Sequence, residues 1–282
     1  MFKFIKIFFA IAVFFVSQAA EAQTVQKDTL YVLGFRNYPP FGMVEDGKFR
    51  SIFTFLIKEV TKKPPKTAKG LAGSKWEVYY ENEKDYEDVL ATIRQEGDLV
   101  LGAYRDDEVY KKIEILYPAI IQNSVKVMML PRRIDEVKSI KDLENLRGGV
   151  NTSEVFSDFV RKQIATYNPV EADNSLVLFE KLFAGEIDYI FTGYYFGLRE
   201  AIRLGLRNQI SFSKKDMWKV PLFIGISQKS RKYKALKPAL ESILKDESLS
   251  AKVEEEIKKA MTETEERYFG VIPPLFVKSN KE

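Results

Sequence analysis

From Leu30 onward, short apolar runs alternate with longer stretches in which apolar residues recur at helical spacing. Leu30-Tyr31-Val32-Leu33-Gly34-Phe35 reads as a buried strand that runs into the turn Asn37-Tyr38-Pro39-Pro40-Phe41, whose prolines cannot sit inside a sheet. Ser51 can cap a helix with Ile52, Phe53, Leu56, Ile57 and Val60 on one face, which Lys63-Pro64-Pro65 stops. Trp76 to Tyr80 is strand-like, Tyr86, Val89, Leu90 and Ile93 repeat as a helix does, and Asp98 to Gly102 is again a buried strand. The same grammar resumes after Pro118. Val125 to Met129 is strand-like, Asp142 to Leu146 a short helix and Gly149-Val150 a short strand leading into Asn151-Thr152-Ser153. Glu154 to Ala165 and Leu176 to Phe183 are helical, the latter closed by Gly185, and Ile187 to Phe191 and Val220 to Ile226 are strands. Charged helices over Tyr233 to Leu244 and Leu249 to Met261 follow. Alternating βαβ units predict mostly parallel sheets covered by helices, an α/β fold.

One pattern is more specific than alternation. Gly97-Asp98-Leu99-Val100-Leu101-Gly102-Ala103-Tyr104 is echoed by Gly185-Glu186-Ile187-Asp188-Tyr189-Ile190-Phe191-Thr192-Gly193-Tyr194. The echo points to two similar halves, although any α/β protein repeats such units. Two halves with a cleft at the strands' carboxyl ends would hold a ligand between them.

The first segment is of another kind. Lys3 and Lys6 precede ten uncharged apolar residues, Ile7 to Val16, and Ala20-Glu21-Ala22 follows. At a rise of about 1.5 Å per residue the run covers only half of a ~30 Å bilayer core. It therefore reads as a signal peptide cleaved after Ala22, leaving an exported chain; an uncleaved interfacial or membrane helix is the alternative.

Composition narrows the chemistry. There is no cysteine and no histidine, so thiolate nucleophiles, Ser-His-Asp triads, His- or Cys-ligated zinc and disulfides have no residues to use. The 44 basic and 40 acidic side chains leave a net charge of only +4, too small and too mixed to suggest a nucleic-acid partner.

At Asn37-Tyr38-Pro39-Pro40-Phe41, followed by Glu45-Asp46-Gly47-Lys48-Phe49, the sequence resembles the family 3 extracellular solute-binding proteins of ABC importers. Ile140-Lys141-Asp142-Leu143, Gly149 to Glu154, Ala184-Gly185-Glu186-Ile187-Asp188 and Ile226 to Ser230 resemble later features of that family in the same order, over roughly residues 28 to 262. The resemblance implies a two-lobed periplasmic binding protein fold of type II: two mostly parallel sheets flanked by helices and joined by two crossover strands. The crossings are expected near Tyr117 to Asn123 and Pro221 to Ser227, giving lobe one from 24–119 plus 226–282 and lobe two from 122–221. It further implies a monomer without a cofactor or metal and a small-molecule ligand, with an ABC-transporter permease or a membrane sensor as partner. The family's carboxylate-binding arginine would fall at Val109 and its ammonium-binding acids at Gly193 and Phe35, so a standard α-amino acid fits poorly.

The expected ligand-binding residues are Tyr38, Tyr80, Tyr104, Arg105, Thr152, Ser153, Thr192 and Tyr194, all at turns or strand ends. Arg105 could stand in for the missing arginine; Phe41 is expected to pack on the first helix. Asp98 and Asp188 superficially suggest an acid-base pair, but both lie where a strand begins and read as structural. The expected function is a non-enzymatic periplasmic solute-binding protein. One alternative is a lyase on the same scaffold, for which Glu108 and Glu154 are the candidate acids, and another is a ligand-free interaction protein with the apolar tail Tyr268 to Val277 as its contact.

Overall fold

The computed structural model describes residues 29–35, 37–62, 71–80, 97–105 and 113–270, with Tyr79 and Tyr80 described by their backbone alone. The segment expected to be a signal peptide, residues 63–70, the helix expected around Tyr86 to Ile93, Glu108, Val109 and the residues beyond Gly270 lie outside the described residues. None of the described helices is long and apolar enough to cross a membrane.

The strands are β1 (Thr29–Gly34), β2 (Asn37–Tyr38), β3 (Gly42–Glu45), β4 (Lys48–Arg50), β5 (Lys75–Tyr80) and β6 (Leu99–Tyr104), then β7 (Ile113–Met129), β8 (Gly148–Asn151), β9 (Val170–Ala172), β10 (Tyr189–Gly193), β11 (Ser211–Phe212) and β12 (Trp218–Ser227). The helices are α1 (Thr54–Lys62), α2 (Asp158–Ala165), α3 (Ser175–Ala184), α4 (Tyr194–Arg203), α5 (Tyr233–Leu244) and α6 (Leu249–Arg267). Hydrogen bonds link the main sheet in the order β5-β1-β6-β12-β7-β10-β8-β9, with β11 on β7, while β2, β3 and β4 form a separate small meander.

This is a two-lobed α/β fold. β5, β1 and β6 pair in parallel in the first half, and β10, β8 and β9 in the second. The long strands β7 and β12 pair antiparallel with each other and connect the halves: Leu222 to Ile226 of β12 ladder onto β6, and Val125 to Met128 of β7 onto β10. The ladder is irregular between Leu222 and Ile224, opposite Leu116 and Ile121. Pro118, which has no N–H to give a ladder, lies in the stretch so left unpaired. Fully buried Leu, Val, Ile and Phe of both halves form one core along the sheet, and a smaller cluster around Leu178, Leu182, Ile187 and Leu206 fills the far side of the second half.

The repeated Gly/Asp pattern proves to be the same device used twice. In the first half Asp98 donates its N–H to Tyr31 O at 2.9 Å, and its carboxylate takes Tyr31 N–H at 2.9 Å. In the second half Asp188 donates to Arg147 O at 2.7 Å and accepts Arg147 N–H at 2.8 Å. Each aspartate thus ties the start of its own strand to the neighbouring parallel strand. Lys232 at 3.1 Å pairs with Asp98, and Arg133 and Arg147 pair with Asp188.

Burial opposes ionisation of Asp188, but the bonds from the Arg147 side chain and backbone and from Arg133 outweigh it and hold the carboxyl at about 2. That value lies below the unfolded one of about 3.9, so the contribution is complete above roughly pH 4 and is lost as pH falls through 2. Arg147 is well exposed, and after allowance for solvent screening about 1–2 kcal/mol remains. Asp188→Asn is expected to lose that amount at pH 7. In urea titrations the wild-type advantage should shrink towards pH 2.

Three elements differ from the sequence reading. Helix α2 begins at Asp158 rather than Glu154, because Ser157 supplies the N-cap, accepting the Val160 N–H at 3.3 Å. The expected helix at Asp142 to Leu146 is a 3-10 turn over Ile140–Leu143, closed by a Ser139/Asp142 capping box. Helix α4, which begins directly at the end of β10, has no strong sequence signal because Gly197 interrupts it. That glycine is required by packing: a Cβ there would lie 2.5 Å from Thr192 Cγ2.

Candidate functional site

The carboxyl ends of β6, β8 and β10 converge with β2 and the middle of β7. Tyr38 ends β2 and Tyr104 ends β6; both are buried, and their hydroxyls hydrogen-bond to each other. Asn123 of β7 donates Nδ2–H to Tyr38 Oη at 2.7 Å, and Tyr104 Oη–H points to Val155 O at 3.4 Å, in the segment after β8. The links form a chain from Asn123 through two tyrosines to the second half, and either tyrosine can donate in the bond between them. At its start Asn123 Oδ1 is buried and accepts nothing among the described residues. Burial pushes the Tyr38 phenol well above its ordinary value, with neighbouring Tyr104 and Glu154 adding to the shift.

Glu154 is the second buried polar group here, and 4% exposed. Its Oε1 accepts Gly193 N–H at 2.6 Å and its Oε2 lies 2.9 Å from Thr192 Oγ1. Burial raises its pKa well above its ordinary value; the Gly193 and Thr192 bonds act against this, and Glu200 adds to it. Thr192 Oγ1–H donates to Glu154 Oε2, and Gly193 O lies 3.2 Å away as a second acceptor within its reach.

Of the expected site residues, the structure brings together Tyr38, Tyr104, Thr192 and Ser153. Ser153 Oγ accepts Asn37 Nδ2–H at 3.2 Å across the two halves and donates to Asn151 Oδ1 at 2.8 Å. Thr152 is exposed, and its N–H is used by Ala172 O. Arg105 is exposed at the end of β6. Tyr194 is half-buried, edge-on to Tyr195 and Phe212, as the first residue of α4. The Tyr80 side chain lies outside the description. Asn123 and Glu154 are the members that the expected set of ligand-binding residues lacks. Asn123 lay in an expected crossover, where an amide carries no motif, whereas Glu154 had been weighed only as an enzyme acid.

Around this cluster the halves meet in two further ways. Phe41 stacks on Phe53, whose ring lies 5.9 Å away and nearly parallel, and takes Tyr195 of α4 edge-on. The packing expected for Phe41 is thus present, with a contact to the second half added. Farther out, Arg199 of α4 bonds Glu45 of the β3–β4 hairpin at 2.5 Å and Glu200 at 3.0 Å. Arg203 holds Glu200 at 2.8 Å, and Arg267 of α6 reaches Asp46 at 2.9 Å. Hairpin, α4 and α6 are thereby joined in one ionic network.

No protein-family model matches the chain, and no curated protein sequence does. Solved structures do match in fold. An amino acid ABC transporter substrate-binding protein from Streptococcus pneumoniae, bound to L-arginine, superposes with a TM-score of 0.59 at 16% identity, covering 84% of this chain and 96% of its own. A proposed ABC-transporter binding component from Wolinella succinogenes, complexed with lysine, gives 0.62 at 15% over 83% and 95%. An ancestral amino-acid-binding protein, the precursor of cyclohexadienyl dehydratase, gives 0.58 at 19% over 83% and 96%. At such identities the likeness establishes the two-lobed fold.

Proposed function

We propose that the chain is an exported solute-binding protein of the family 3 type, whose lobes close on a small polar solute and deliver it to an ABC importer or a membrane sensor. In this reading residues 1–22 are removed on export to the periplasm and the remainder acts as a monomer. Lobe one comprises 24–119 plus 226–282 and lobe two 122–221, with the hinge in the paired strands β7 and β12. The observation that carries the reading is the meeting of buried polar groups from both halves, Tyr38 and Tyr104 with Val155, Glu154 and Thr192, at the carboxyl ends of the sheet strands. Ligands of open α/β sheets lie at such ends, and two strands between lobes permit hinge closure. Tyr38, Tyr104, Ser153 and Thr192 surround the inner end of the cleft; Arg105, Thr152, Tyr80 and Tyr194 are assigned to its rim.

The lyase alternative draws support from Glu154, a buried acid whose pKa burial raises, and from the dehydratase precursor among the fold neighbours. Both Glu154 oxygens are engaged by Gly193 and Thr192, however, which leaves no proton directed at a substrate. Binding without chemistry is the better reading.

The test is a thermal-shift screen against amino acids, polyamines, organic acids, sugars and short peptides. A solute at a hundred times its Kd should add about 2.7 kcal/mol of stability. A saturable rise with one class, and no consumption of the solute by mass spectrometry, is the expected result. Turnover of the solute would favour the lyase.

A further inference from the structure

Away from the polar cluster, the β3–β4 hairpin and helix α6 leave a groove between them. Its inner part, about 300 Å³, is walled by Met43, Phe49, Ile52 and Trp76 on one side and by Ala260 of α6 on the other. Its outer part, about 360 Å³, is bounded by Glu45, Glu266 and Arg267. Met43, Arg50, Ala260 and Glu263 line both parts, so the groove is continuous along α6 from Arg267 back to Glu256. Phe49, Trp76 and Ala260 are only half-buried, which leaves apolar surface facing the groove. Helix α6 ends at Arg267, in the mouth of the groove, and Gly270 soon after has φ +74°, the left-handed conformation that commonly ends a helix and turns the chain aside. The sequence then reads Val271-Ile272-Pro273-Pro274-Leu275-Phe276-Val277, seven apolar residues without a break, before Lys278 to Glu282.

We propose that residues 271–277 fold back into this groove and run along α6, with Leu275 and Phe276 against Met43, Phe49 and Trp76. The reach is sufficient. The two prolines oppose a continued helix and favour an extended course, in which seven residues span roughly 22 Å. The groove follows α6 only from Glu266 back to Glu256, about 15 Å of helix. Apolar side chains meet apolar walls, and the mixed charges at the inner end, Glu256 beside Lys58 and Lys259, suit the polar residues 278–282 that follow. A second copy or a separate partner would have to displace a segment tethered at the mouth through Tyr268, Phe269 and Gly270, whose effective concentration is on the order of millimolar. The seated segment also fastens to α6 the hairpin whose Glu45 bonds Arg199 of the second half.

The chain has no cysteine, so introduced pairs report proximity without background. In the full chain, Ala260→Cys with Phe276→Cys places one thiol in the groove. Thr262→Cys with Phe276→Cys places it on an exposed position two residues nearer the tether and on the opposite side of the helix. Under mild oxidation the first pair should close into an intramolecular disulfide about tenfold faster than the second, read by peptide mass mapping. Equal rates, or a faster Thr262 pair, overturn the proposal. Trp76 gives a second readout, because Trp218→Phe makes it the only tryptophan. In that background, deleting 271–282 should move the emission to longer wavelength and increase quenching by acrylamide, and a peptide of residues 271–282 should reverse both changes saturably. Unchanged emission and quenching in a deletion variant that is folded by circular dichroism overturns the proposal. Protection of Trp76 that is lost on diluting the full chain assigns the groove to a second copy and overturns it too. If the deletion prevents folding, the cysteine pairs, which keep the whole chain, decide the question by themselves.

Discussion

Replacing Phe41 with alanine is expected to lower the stability of the protein by about 3–5 kcal/mol, seen as a fall in Tm of roughly 8–15 °C by calorimetry. Phe41 is 1% exposed and touches the aromatic rings of Tyr38, Phe53 and Tyr195. Removing its ring leaves a cavity that neighbours on strands and helix starts cannot collapse to fill, so the cost exceeds the lost transfer free energy. Because Tyr195 belongs to the second half and Phe53 to the first, the loss should also loosen the join between them. Phe41→Leu, which refills most of the volume, should recover more than half of the loss. A fall in Tm of less than about 3 °C for the alanine variant would show that Phe41 is not packed as described.

Arg199→Ala should have the next largest effect, about 3 kcal/mol. The Arg199 and Glu45 side chains are 10% and 12% exposed, so removing the guanidinium strands a carboxylate with little access to water. The loss lies near the lower end for a broken buried pair because Arg203 still holds Glu200, and Arg50 and Arg267 still lie 3.8 Å from Glu45. Arg199→Lys keeps the charge but cannot bond Glu45 and Glu200 at once, and should fall between wild type and alanine. Small-angle scattering provides a second readout: Arg199→Ala should have a larger radius of gyration than wild type, since its bond to the hairpin spans the two halves. An unchanged radius together with unchanged stability would mean that the network fastens nothing.

Much of the fold was legible because its elements obey local rules. The strand at Leu99 to Tyr104 is a continuous apolar run between glycine and charge, α5 falls at Tyr233–Leu244 as its periodicity indicates, and the Gly/Asp echo marks two equivalent strand starts. Helix α4 was not legible, since Gly197 is chosen for contact with Thr192 and lowers the helical signal. Of the site, Tyr38, Tyr104 and Thr192 could be picked out as polar residues at strand ends. Asn123 could not be: it lies in the interior of a 17-residue strand, and its importance comes from the buried oxygen it presents rather than from neighbours in sequence.

The sequence by itself determined the alternation of strands and helices, the repeated Gly/Asp strand entry and the absence of thiol and imidazole chemistry. Each of these depends on residue type and short-range spacing, which sterics and hydrophobic burial read directly. Only the tertiary structure decided that Glu154 fills the space beside Gly193, that the two tyrosine hydroxyls bond to each other, and that Arg199 reaches a hairpin 154 positions away in the chain. Those facts concern which polar groups are buried together, and the protonation state and partners of a buried group are set by its neighbours in space.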